Sequence, residues 1–142
     1  MSKLILLSTI TLASMLSFTG CKKYEAGPDI SFSSQKERIA NTWKVETFLK
    51  QNADHTFEIP KDFEIYYGKD GNYSTKTGGL ETSGKWEFID KDIIGRPAGV
   101  KITYTSGSEP LQYTIKKLEE DKHWFYFYDK DTVKHEFHLI AK

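Results

Sequence analysis

FEIYYGKDGNYST, Phe63 to Thr75, decides the fold class. Phe63, Ile65 and Tyr67 alternate with Glu64 and Tyr66. A period of two puts successive side chains on opposite faces of an extended strand. Asp70-Gly71 follows, and Asp-Gly between two alternating runs is a strong local signal for a hairpin. Tyr73 and Thr75 resume the alternation on the way back. One antiparallel pair of strands is therefore legible in this stretch alone.

The same period recurs on both sides. Upstream, Trp43, Val45, Thr47 and Leu49 share one parity, with Lys44, Glu46 and Lys50 on the other. Downstream, the Gly78-Gly79 loop leads to KWEFI, Lys85 to Ile89, with Trp86 and Phe88 on one face. A longer connection, Asp90 to Gly99, precedes Val100, Ile102 and Tyr104, and a turn from Ser106 to Pro110 precedes Leu111, Tyr113 and Ile115. HWFYFYD, His123 to Asp129, sets Trp124, Tyr126 and Tyr128 on one face and Phe125 and Phe127 on the other. The last run aligns Val133, His135, Phe137 and Leu139. The aromatic content of 14% suits half-buried pleated surfaces.

Eight strands with no helices between them predict an all-β, antiparallel meander. Closing it into an up-and-down barrel removes the exposed edges; an open sandwich is the alternative. The single helical signal is Ser33 to Thr42, where Ser34 and Glu37 have the spacing of a capping box. This short N-terminal helix is expected to plug one end of the barrel.

Ahead of it, Lys3 precedes an uncharged run, Leu4 to Leu16. As a helix it would span only roughly 20 Å at about 1.5 Å per residue, short of a bilayer core of about 30 Å. It reads as an export signal. Small residues then lead through Gly20 to Cys21, the chain's one cysteine. This resembles the lipobox of bacterial lipoproteins, which implies cleavage before Cys21 and acylation of its thiol by chains such as palmitate. The other reading is an ordinary signal peptide with Cys21 as a thiol that has no partner in its own chain. Residues 1–20 are thus expected to be a lipoprotein signal peptide, 21–34 the lipidated cysteine and a flexible tether, and 35–142 the barrel domain. With no Asp after Cys21, the resemblance implies the outer membrane, and Lys22-Lys23-Tyr24-Glu25 hints at surface display.

Twenty basic side chains balance 20 acidic ones, which argues against nucleic acid as a partner. No catalytic constellation or Gly-rich phosphate loop is present, so neither an enzymatic activity nor a cofactor is expected. His55 lies in a polar turn and is expected to be solvated. His135 and His138, three apart on a strand, face opposite sides. If Tyr128 pairs with Val133, His123 faces His138; two imidazoles make at most a weak metal site, so no metal is assigned.

The chain also resembles the bacterial lipocalin-like lipoproteins. The resemblance rests on Asn41-Thr42-Trp43-Lys44 after a short helix, on Tyr67-Gly68-Lys69-Asp70-Gly71-Asn72-Tyr73, on Ser83-Gly84-Lys85-Trp86, and on a closing strand with Phe137 and Leu139. It covers Ile39 to Lys142 and implies a lipocalin-type barrel. Ala40 and Asn41 precede Thr42-Trp43, a departure from the Gly-x-Trp of true lipocalins. No arginine lies on a late strand to stack on Trp43, so the helix is expected to close over it instead.

The aromatic and imidazole side chains on the expected inner face are Trp43, Phe63, Tyr67, Tyr73, Trp86, Tyr104, Tyr113, Trp124, Tyr126 and His135. Their polar tips either find partners in a packed core or border a ligand pocket. Two functions follow. One is a membrane-anchored lipoprotein holding a small apolar or amphipathic ligand in the barrel. The other is an interaction or accessory module with a packed core, docking a protein partner through Phe48, Tyr66, Phe125 and Phe127, all four expected to be exposed.

Overall fold

The computed structural model describes residues 34–91 and 94–142. The expected signal peptide, 1–20, and all of the expected tether, 21–34, except Ser34 lie outside the described residues. Helix α1, Gln35–Ile39, is one turn and a half and begins at a complete capping box, with Ser34 and Glu37 each bonding the other's backbone N–H. The strands are β1 (Thr42–Lys50), β2 (Ala53–Asp54), β3 (Glu64–Tyr67), β4 (Asn72–Thr77), β5 (Leu80–Ile89), β6 (Gly99–Tyr104), β7 (Leu111–Leu118), β8 (Lys122–Tyr128) and β9 (Lys134–Ala141).

Every neighbouring pair is antiparallel, and β1 also pairs with β9, so the eight long strands close into an up-and-down barrel. Closure leaves no open edge among them. The two-residue β2 is an addition to the rim, paired with the upper end of β1. The expected hairpins are present: Gly71 adopts φ +84° in the Asp70-Gly71 turn, and Gly78 and Gly79 take φ +54° and +79° between paired Thr77 and Leu80. Left-handed backbone at these positions is what a tight hairpin requires and what glycine permits.

The two seams of β1 are unequal. Seven residue pairs join it to β9, but only three, Thr42 to Lys44, join it to β3. Above them the chain turns back on β1, where Thr56 Oγ1 accepts from the Phe48 N–H at 2.9 Å and the His55 N–H donates to the Phe48 carbonyl at 2.8 Å.

Two bulges re-aim the side chains. In β1 the register shifts between Val45 and Thr47, and in β7 between Ile115 and Lys117. A bulge places two residues opposite one and reverses the parity beyond it. Phe48, rather than Thr47 and Leu49, therefore joins the inner face of β1 and is 4% exposed. Leu118 takes the same place on β7 and is fully buried.

The lower half of the barrel is solid. Ile39, Trp43, Tyr67, Trp86, Val100, Tyr113, Ile115, Leu118 and Leu139 pack into one cluster. As expected, the helix closes over Trp43, whose indole N–H donates to the Ile39 carbonyl at 2.9 Å. Arg38 serves the plug and not a stack: its guanidinium donates to the Leu118 carbonyl at 2.7 Å.

Candidate functional site

At the end opposite the helix the core stops short and leaves a cavity of about 400 Å³. This is the lower part of the size range of small-molecule pockets. Its two walls differ. Phe63, before β3, and Phe125, Phe127 and Phe137 on β8 and β9 present phenyl rings. Tyr73, Thr75, Thr82, Tyr104 and Ser108, on β4 to β6 and the following turn, bring hydroxyls. Ile65 and Leu111 complete a lining of eleven residues, none of them charged.

The phenyl wall is a continuous stack. His135 lies on Phe127 with ring centroids 5.1 Å apart, Phe137 lies 6.3 Å from Phe127 and 5.3 Å from Phe125, and Phe125 lies 4.0 Å from Tyr113. Offset stacking of this kind adds to the burial of each ring. His135 stands at the rim, 2.8 Å from Asp129 through Nε2.

Below the cavity lies a buried polar cluster. The Tyr113 hydroxyl donates to that of Tyr67 at 3.0 Å and lies 3.5 Å from His123 Nε2. Burial raises the pKa of both phenols and pushes that of His123 down to about 3. All three are therefore neutral at pH 7. Burial likewise raises Tyr73 and Tyr104, which face the cavity as protonated donors.

The ten residues expected on the inner face separate into four groups. Phe63, Tyr73 and Tyr104 line the cavity. Trp43, Tyr67, Trp86 and Tyr113 are packed beneath it, between fully buried and 5% exposed. His135 is at the rim. Trp124 and Tyr126 are on the outer wall: Trp124 stacks on His138 at 4.1 Å under the Lys117 ammonium, and Lys134 sits over Tyr126. The cause is a register one residue away from the expected one. Tyr128 pairs with Lys134 and not Val133, which reverses every side chain of β8 relative to the sheet.

The same slip overturns two further expectations. His123 pairs with Leu139 and His138 with Trp124, so the two imidazoles are on opposite sides of the wall. Phe125, 4% exposed, and Phe127 are interior, and Phe48 is interior through the β1 bulge instead; of the four residues expected to form an exposed apolar set, only Tyr66 is exposed, at 44%. His55 is not left to solvent alone, since its Nδ1 lies 2.8 Å from Glu58.

Ile65, Thr75, Leu111 and Phe137 lie on the parity that alternation puts inside, but nothing in their side chains distinguishes cavity lining from core. Thr82 and Ser108 carry no such signal. Among the described residues no group of three His, Cys, Asp or Glu side chains is placed to hold a metal ion. The chain matches no protein-family model and no curated protein.

Proposed function

We propose that this chain is a lipid-anchored lipoprotein of the cell envelope, held at the outer membrane through acylated Cys21, whose lipocalin-like barrel binds a small apolar or amphipathic molecule without transforming it. The observation that carries the binding role is the uneven filling of the barrel. A sealed, tightly packed lower half supports an uncharged cavity of about 400 Å³ at the other end. A fold that needed only a core would gain by filling that space, since each large apolar side chain buried there adds about 1.5–3 kcal/mol. The anchoring role is supported by the uncharged run Leu4 to Leu16 and by Gly20-Cys21.

Native mass spectrometry of the full chain tests binding. The expected result is a retained small molecule that exchanges with added apolar ligands and is lost in Leu111→Trp, where the indole occupies the cavity. No adduct, and no thermal shift with any apolar ligand offered, would refute the binding role. Labelled palmitate that enters the wild-type chain but not Cys21→Ser tests the anchor separately.

The second reading, a non-enzymatic interaction module without a ligand, has its own observation. Phe57, at 83% exposure, stands out from the turn after β2. That reading expects partner binding to survive Leu111→Trp and to be lost in Phe57→Ser.

A further inference from the structure

Below the cavity the two indoles and the Tyr113 phenol find partners within the protein, while His123 Nδ1 is buried without one. Trp43 bonds the Ile39 carbonyl, Trp86 the Gly68 carbonyl at 2.8 Å, and Tyr113 the Tyr67 hydroxyl. Tyr73 and Tyr104 break that pattern. Their rings lie 6.2 Å apart, edge to face, on the hydroxyl wall of the cavity. Tyr73 is 6% exposed. Among the described residues neither phenol has a hydrogen-bond partner. Neither hydroxyl is among the buried side-chain atoms left without a partner, so both open into the cavity and are free to bond whatever occupies it.

The second constraint is charge. No lysine, arginine or histidine is among the eleven lining residues. A carboxylate taken into such a site would lose its hydration without a cation to replace it, at an effective cost of several kcal/mol. Both tyrosines, held in the protonated form by burial, can donate a proton in a hydrogen bond. Opposite them the stacked phenyl wall suits a flat apolar body.

Resting on the ligand-binding reading, we infer that the cavity selects an uncharged molecule with a flat apolar body and a hydrogen-bond acceptor, such as a ketone or quinone oxygen, taken by the hydroxyls of Tyr73 and Tyr104. These two residues set specificity; the phenyl wall supplies affinity without discrimination.

Three probes of matched shape test this: 2-acetylnaphthalene, 2-ethylnaphthalene and 2-naphthoate. They are titrated calorimetrically into the full chain in lipid nanodiscs, with empty nanodiscs subtracted. The ketone is expected to bind about three- to tenfold more tightly than the hydrocarbon, the difference one net hydrogen bond makes. The carboxylate is expected to bind at least about a hundredfold more weakly than the ketone. In the double variant Tyr73→Phe, Tyr104→Phe the ketone is expected to lose its advantage while the hydrocarbon binds as before, which also shows that the barrel is intact. Naphthoate binding as tightly as the ketone, or a ketone advantage that survives the double variant, overturns the inference and leaves the binding role standing. Failure of all three probes overturns both.

Discussion

The indole N–H of Trp43 donates to the carbonyl of Ile39 at 2.9 Å, and this bond ties the helical plug to the first strand of the wall. Both residues are fully buried. Trp43→Phe removes the donor, strands the Ile39 carbonyl and leaves a void at the sealed end. The expected loss is about 2–4 kcal/mol, read as a lower urea midpoint. Trp124→Phe, on the outer wall, is expected to cost no more than about 1 kcal/mol. Equal losses at the two tryptophans would contradict the assignment of one to the inside and the other to the outside.

His123 is fully buried against Trp43, Tyr67 and Phe125. Burial lowers its pKa from the ordinary 6.5 to about 3. The unfolded chain therefore takes up a proton that the folded chain refuses. Stability is complete above pH 6.5 and falls as the pH drops toward 3, by about 2 kcal/mol between pH 7 and pH 5. Denaturant titrations at those two values check this. In His123→Phe, with His123→Gln as a second substitution, the difference between the two should shrink to near zero even if both stabilities are lower.

Glu136 is a buried anion on the outer wall, 2% exposed. Burial by itself would raise its pKa, but hydrogen bonds from Lys116 and Lys134 at 2.8 Å and a bond with His138 at 2.7 Å outweigh it. The result is about 2 in place of the ordinary 4.5. Its contribution is present in full above pH 4.5 and is lost as the pH falls toward 2, amounting to about 2 kcal/mol after allowing for solvent around the lysine heads. Glu136→Gln should unfold at the same pH as wild type only if that network contributes nothing. The expected outcome is a lower midpoint at pH 7 and a flatter profile between pH 4.5 and 2.

Gly84, on β5, pairs with Tyr104 of β6. A Cβ there would stand 2.4 Å from the Thr103 carbonyl oxygen, and one at Gly99 would stand 2.3 Å from that of Tyr113. Both obstacles are backbone, so the wall itself must move. Gly84→Ala is expected to lose about 1–3 kcal/mol, whereas Leu80→Ala, at an exposed site, should change stability by no more than about 0.5 kcal/mol. Thermal melts of the two variants make the comparison.

The barrel was legible wherever only one parity of a strand was apolar. Phe63 to Thr75 carries its alternation and its turn residues together, and β3, β4 and the hairpin between them are where that stretch puts them. The plug was legible from Ser34 and Glu37. The cavity lining was legible only in part, because HWFYFY is aromatic on both parities and its pattern cannot say which face is inside. The deciding information is in the turn. Asp129 Oδ1 accepts from the N–H of both Asp131 and Val133, and Thr132 adopts φ +61°. That lengthens the loop by one residue and sets the register. The bulges in β1 and β7 hid Phe48 and Leu118 in the same way, since strict alternation counts through a bulge and emerges on the wrong side.

The short junction between β1 and β3 gives the cylinder a hem. Three rungs hold it where seven hold the other side of the same strand, so thermal breathing should part the wall there before anywhere else. Amide exchange along Thr42 to Lys44 is then expected to outpace that along β5, and a guest too broad for the rim has a sideways door beside Phe63, which borders both the interior cavity and the recess outside the wall.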